Sequence, residues 1–183
     1  MRYYFKTILI TAVFIFSHSC QSPSANTVKQ MVYEGVDQMV DEAISTVKSI
    51  TVEEFKKLVE AQDMYYLIDV RTEAEHDLGY IPGTINIPRG LLEFWIEKEA
   101  FWEDEGLYAP LKEDKLIVYC KSGRRSALSV QTLEKMGFTE VYSLEGGFND
   151  WKSKYPEDVQ DNQPAVTLPQ GAAVAAPESA GGC

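Results

Sequence analysis

The chain has 183 residues, 45% of them hydrophobic, which suffices for one core-bearing domain plus extensions. Its formal charge is −11, from 17 basic and 28 acidic side chains. Such a surface disfavours nucleic acid and anionic lipid and reads first as solubility. Its three cysteines are far apart and only two histidines are present, so nothing has metal-ligand spacing.

Residues 1–19 carry Arg2 and Lys6, an apolar run from Thr7 to Phe16, and the small residues Ser17 and Ser19. This is the pattern of a secretory signal peptide, too short to span a membrane as a stable helix. Without those two cations the remaining chain carries −13 rather than −11. Cys20 follows directly, which resembles the lipidated cysteine of bacterial lipoproteins, although Ser17 departs from the usual aliphatic residue there. Multiple acyl chains on Cys20 would tether the protein stably. Gln21 does not resemble an inner-membrane retention signal, so the expectation is an exported, periplasmic-side protein on the outer membrane. Ordinary cleavage would leave it soluble in the periplasm.

Residues 20–47 read as linker and amphipathic helix. Val28, Val32, Val36, Met39, Ala43 and Val47 recur at spacings of three and four, interrupted by Gly35. Such a helix packs on its own domain, or forms the seam of a homodimer. A catalytic domain follows over 48–155. Thr51-Val52-Glu53-Glu54 has capping-box spacing, with Phe55, Leu58 and Val59 on one face. Tyr65 to Asp69 reads as a strand, and Asp69 and Arg71 lie at its C-terminal end, where α/β sheets build their sites. Either they act in the site or they are a charge pair that fixes its loops. His76, among Glu73, Glu75 and Asp77, reads as a surface residue of a short helix.

Phe94-Trp95 and Phe101-Trp102 recur at a spacing of seven, which places both pairs on one side of a helix. That helix closes the core, or forms an aromatic wall beside the site. Leu116-Ile117-Val118-Tyr119 reads as a buried strand ending in Cys120. Lys121-Ser122-Gly123-Arg124-Arg125 is a loop, and Ser126 to Met136 a helix stopped by Gly137. Free amides at a helix start join those of the loop to form an anion nest. Gly123 lets the backbone bend, and Arg124 and Arg125 add charge. A thiolate at the mouth of such a nest is flanked by donors and cations, so Cys120 is the candidate nucleophile. Val141 to Leu144 reads as the last parallel strand, Gly146-Gly147 as a turn, and a short helix ends near Tyr155. Strands alternating with helices imply an α/β fold with a central, mainly parallel sheet.

These residues together resemble the single-domain rhodanese-type sulfurtransferases. Cys120 to Ser126 is similar to the family's C-x-x-G-x-R-S loop. Leu67-Ile68-Asp69-Val70-Arg71, Glu75, and Gly79 to Pro88 are similar to its D-V-R and G-H-I-P-G signatures, with Tyr80 in the histidine position. Leu144 to Trp151 matches its closing L-x-G-G-x-x-x-W. The resemblance implies a five-stranded rhodanese-like sheet with helices on both faces. It implies a Cys120 persulfide, charged by a small anionic donor such as thiosulfate or polysulfide and discharged to an unidentified thiol or protein acceptor, or to cyanide. The loop amides with Arg124 and Arg125 would hold the donor, and Lys121 and Ser122 would line the rim. Asp69 and Arg71 would support the loop, and no metal or organic cofactor is needed. Two other readings stand beside it. One is a non-catalytic binding or sulfur-carrier module. The other is a phosphatase or arsenate reductase, which the loop length opposes, because C-x4-R is one residue short of the C-x5-R cradle for a tetrahedral oxyanion.

From Pro156 to Cys183 the composition turns to Pro, Ala, Gly and Gln and reads as a disordered tail. A tail of that length reaches on the order of 30 Å. Cys183 is therefore a candidate acceptor of sulfur from Cys120, or a resolving thiol.

Overall fold

The computed structural model describes residues 32–162. The stretch read as a leader, Cys20, the start of the first apolar repeat and Cys183 lie outside the described residues. Among those described, no helix is long and apolar enough to cross a membrane.

The elements alternate. Helix α1 spans Val36–Thr46, strand β1 Ser49–Ile50, α2 Val52–Ala61 and β2 Tyr66–Asp69. Next come α3 (Glu73–Asp77), β3 (Thr84–Asn86), α4 (Leu92–Trp95) and α5 (Glu99–Asp104). Then β4 (Leu116–Tyr119), α6 (Arg124–Lys135), β5 (Val141–Leu144) and α7 (Gly147–Lys154) complete the domain. The five strands form one parallel sheet in the order β1-β5-β4-β2-β3. The expected α/β architecture is thus observed, with every strand parallel. Central β4 is buried along its whole length, as an apolar run flanked by helices on both faces requires.

The two-residue period of the strands divides the core. Leu116, Val118 and Cys120 face one side, with Ile68, and pack on Val130 and Leu133 of α6 and on Leu92, Ile96 and Trp102. Ile117 and Tyr119 face the other side, with Leu67, and pack on Phe55 of α2 and on Phe148 and Trp151 of α7. Cys120 therefore leaves the sheet on the α6 side because of its parity with Val118.

Three sequence expectations change. First, α1 does not run through Gly35. That residue is extended (φ −175°, ψ 178°) and the helix starts after it. A glycine inside a helix costs about 1 kcal/mol relative to alanine, and here the helix begins beyond it instead. Its inward residues Val40 and Ala43 are buried, and the helix packs on α6 of the same chain.

Second, the aromatic segment is two short helices rather than one. The chain breaks at Lys98, and Trp102 Nε1 donates to the Ile96 carbonyl at 2.8 Å. A continuous helix would have committed that carbonyl to the amide of residue 100. Trp102 is fully buried as a core residue, Trp95 and Phe101 lie 5.1 Å apart at its edge, and Phe94 is 76% exposed. The four rings thus form no common wall.

Third, the ordered chain passes Tyr155. Pro156–Asp158 forms a 3-10 turn, and Gln160 bridges Tyr80 through two backbone bonds of 2.7 and 3.0 Å. The Asp158 carbonyl accepts from Trp151 Nε1 at 2.9 Å, and its carboxylate pairs with Lys56 at 2.6 Å. Residues 156–162 are therefore an integral strap, held by contacts with distant partners that composition does not show.

Candidate active site

Cys120 follows the last residue of the central strand, and Gly123 turns the loop with φ +86°, as its sequence position predicts. Beneath the loop lies the start of α7. The Phe148 amide donates to the Cys120 carbonyl at 2.8 Å, and the Asn149 amide to the Lys121 carbonyl at 3.0 Å. In a planar trans peptide, N–H and C=O point in opposite directions. With these two carbonyls drawn toward α7, the amides of Lys121 and Ser122 turn the other way. The amides of residues 121 to 126 have no acceptor among the described residues. These are the amides that the loop spacing marks as free to meet an anion.

The clamp depends on Gly147. A Cβ there would lie 2.3 Å from the Cys120 carbonyl oxygen, and φ is +59°. Only glycine lets α7 approach the loop this closely. Sequence reading placed a turn at Gly146-Gly147 but not this contact.

A hydroxyl pair lies behind the cysteine. Ser126 Oγ reaches Cys120 Sγ at 3.8 Å, donates to the Gly123 carbonyl at 3.0 Å, and stands 2.9 Å from Ser143 Oγ. Both serines are buried. Ser143 was not foreseen. Its signal was a lone serine in the strand Val141-Tyr142-Ser143-Leu144, whose hydroxyl must find a partner when buried.

The loop cations are less free than their sequence implies. Arg125 makes a bidentate pair with Glu75 at 2.7 and 2.8 Å. That pair holds the Glu75 carboxyl down to about 2, aided by hydrogen bonds from Thr72. In turn Glu75, and more weakly the Cys120 sulfur, keep Arg125 protonated. Arg124 Nη2 bonds Asp37 of α1. Of the three, only Lys121 forms no ion pair among the described residues, and it is exposed with Ser122 on the rim. The positive charge of the loop is therefore two arginines already in ion pairs and one lysine, beside amides without acceptors among the described residues.

Asp69 and Arg71 form a support. Arg71 Nη2 meets Asp69 Oδ2 at 2.6 Å, and also donates to the Gly79 carbonyl at 2.8 Å, while Nη1 donates to the Glu75 carbonyl at 3.1 Å. Its guanidinium lies 4.2 Å from the centre of the Phe148 ring. Burial raises the Asp69 pKa, but hydrogen bonds from His76 and Arg71 outweigh it and leave the carboxylate below its ordinary range. The pair joins β2, α3 and α7 around the loop and does not touch Cys120. His76 departs from the surface position expected of it. Its Nδ1 lies 3.0 Å from Asp69 Oδ2, and its ring stacks on Tyr80 at 4.3 Å. Among the described residues no group of three or more His, Cys, Asp or Glu could hold a metal ion.

The family model described as "Rhodanese-like domain" matches residues 51–154, more than half of the chain. The chain belongs to the rhodanese-like family. Its rhodanese domain is 33% identical over 113 residues to the Bacillus subtilis protein named "Putative sulfur carrier protein YrkF", covering 62% of this chain and 55% of that one. The chain thus spans about half the length of that curated relative. Among solved structures, the human single-domain sulfurtransferase TSTD1 is 29% identical with a TM-score of 0.54, over 58% of this chain and 96% of that one. A Rhodopseudomonas palustris protein described as "Possible Tyrosine Phosphatase" is 34% identical with a TM-score of 0.55, over 68% and 94%. The rhodanese match begins at Thr51, so α1 and its Asp37–Arg124 contact are additions to the matched domain.

Proposed function

We propose that this protein is a sulfurtransferase that carries a sulfane sulfur on Cys120. The observation that carries the reading is the run of amides from 121 to 126 without acceptors among the described residues, directly after a buried thiol at the end of the central strand, in a C-x4-R loop too short for the oxyanion cradle of the related phosphatases. The Cys120 thiolate attacks the outer sulfur of thiosulfate. A Cys120 S–S bond forms, the donor S–S bond breaks, and sulfite leaves with the electron pair. A thiophilic acceptor then attacks the outer sulfur, and the electron pair returns to Cys120. Cyanide serves as acceptor in the test tube and yields thiocyanate. The loop amides and Arg125 stabilise the negative charge of donor and leaving group. Polysulfide would enter the same way.

Intact-protein mass after incubation with thiosulfate or polysulfide tests this. The expected result is a gain of one sulfur atom, reversed by cyanide and absent in Cys120→Ser. No gain with either donor overturns the reading. A second reading, the sulfur carrier, draws on the likeness to YrkF. It predicts loading without multiple turnovers with cyanide. Hydrolysis of an aryl phosphate by the wild type, without sulfur loading, would favour the phosphatase class instead.

A further inference from the structure

α1 lies outside the stretch that matches the family, yet it reaches the active-site loop at two points. Asp37 in its first turn pairs with Arg124. Near its other end, Ile44 and Val47 face Ser122 and Gly123 across a cleft of about 180 Å³. Ser143 also lines this cleft, and its hydroxyl meets the Ser126 hydroxyl that reaches Cys120 Sγ. The cleft and the sulfur are therefore two hydroxyls apart, and they share the Ser122–Gly123 segment as a common rim.

The two sides of that rim differ in chemistry. The loop side presents amides, which favour an anion. The cleft side is walled by Ile44, Val47 and Ala127 together with three serines, and carries one carboxylate, Glu145, which accepts from the Ser49 hydroxyl, with no cationic side chain in its lining. The closest loop cation in sequence, Arg124, is already held by Asp37. The volume is below the several hundred Å³ of a drug-sized pocket, so it admits a ligand of only a few heavy atoms. A small anion gains nothing there, whereas a short aliphatic body with a neutral or positive end fits both walls and charge.

We propose that this cleft seats the organic body of the sulfur acceptor, a small neutral or cationic thiol whose sulfur reaches the outer sulfur of the Cys120 persulfide over the Ser122 rim. This rests on the sulfurtransferase reading above. The acceptor thiol loses its proton to solvent, and its sulfur bonds to the outer sulfur. The bond from the outer sulfur to Cys120 Sγ breaks, and its electron pair stays on Cys120. The acceptor leaves as a persulfide. Donor and acceptor thus approach from opposite sides of one loop, sorted by charge, and α1 is the part of the chain that builds the acceptor side.

The test is single-turnover discharge of thiosulfate-loaded protein to cysteamine and to 3-mercaptopropionate, a cationic and an anionic thiol of similar size. The ratio of the two rates is compared between wild type and Glu145→Gln, so that the intrinsic reactivity of each thiol cancels. An exposed carboxylate–ammonium contact is worth a few tenths to 1 kcal/mol, so the ratio is expected to fall about two- to five-fold in the variant. Ile44→Trp, at a position 54% exposed, fills the cleft and is expected to raise the concentration of either thiol needed for half-maximal discharge. If Cys120 loads but the ratio is unchanged in Glu145→Gln and the thiol dependence is unchanged in Ile44→Trp, the acceptor site is overturned and the sulfurtransferase reading stands. If Cys120 does not load, the sulfurtransferase reading fails and takes the acceptor site with it.

Discussion

Replacing Glu75 by Gln removes a charge while keeping an oxygen that can still accept from the Thr72 amide. What is lost is the charge and one of the two hydrogen bonds of the bidentate pair with Arg125, made at 2.7 and 2.8 Å, because an amide nitrogen donates and cannot accept. The fall of the Glu75 carboxyl from its ordinary 4.5 to about 2 sets the scale. At about 1.4 kcal/mol per pH unit this bounds the native-state gain near 3 kcal/mol. The side chain is 33% exposed, so screening by water brings the expected loss in Glu75→Gln to about 1–2 kcal/mol at neutral pH. The sign follows from linkage. A carboxyl whose folded pKa is depressed contributes its full stability above 4.5 and loses it as pH falls from 4.5 through about 2. Urea unfolding of both proteins across pH 7 to 2.5 measures this. The stability gap should be about 1–2 kcal/mol at pH 7 and narrow steadily below pH 4.5. A gap of constant size over that range would refute the argument that charge on Glu75 holds Arg125. So would the absence of any gap.

Three further outcomes are expected. Gly147→Ala forces a methyl against the Cys120 carbonyl at a backbone angle that disfavours side chains, and should cost about 2–4 kcal/mol in thermal unfolding; a variant as stable as the wild type would show that α7 can withdraw from the loop without penalty. Arg125→Ala should slow sulfur loading by about tenfold more than Arg124→Ala, because the Cys120 sulfur interacts with Arg125 even while Glu75 holds it, whereas Arg124 turns to Asp37 of α1; equal losses would place both cations at the donor. A chain ended after Tyr155 should be less stable than one ended after Asn162 by about 2–4 kcal/mol, since it lacks the Tyr80–Gln160 bridge and leaves Trp151 Nε1 without its acceptor; equal melting temperatures would mean that the strap contributes nothing.

Much of this domain is written in short stretches of sequence. Leu116–Tyr119 and Val141–Leu144 were legible to the residue, because an apolar run bounded by turn residues has few other uses. The capping box at Thr51 and Glu54 was readable from spacing alone, and the same rule applied to Thr72 and Glu75 would have found the second one. Cys120, the turn at Gly123 and the helix after it are local features, fixed within a dozen residues by strand parity, positive φ and free helix amides. The aromatic segment misled for the same reason. A spacing of seven is a helical signal, but the Trp102 indole required the Ile96 carbonyl, and that need broke the helix.

What surrounds the cysteine was decided only by the tertiary structure. Glu75 meets Arg125 across 50 residues and Asp37 meets Arg124 across 87. Neither pairing follows from the segments themselves, since each arginine had several carboxylates to choose from. The sheet order β1-β5-β4-β2-β3 brings β2 and β5 to either side of β4, so α3, α7 and Ser143 converge on one loop. The order of residues determined which thiol ends the central strand and which amides follow it, because those depend on near neighbours along the chain. Only the fold decided which of its cations are neutralised and where a second molecule can approach, because those depend on neighbours in space.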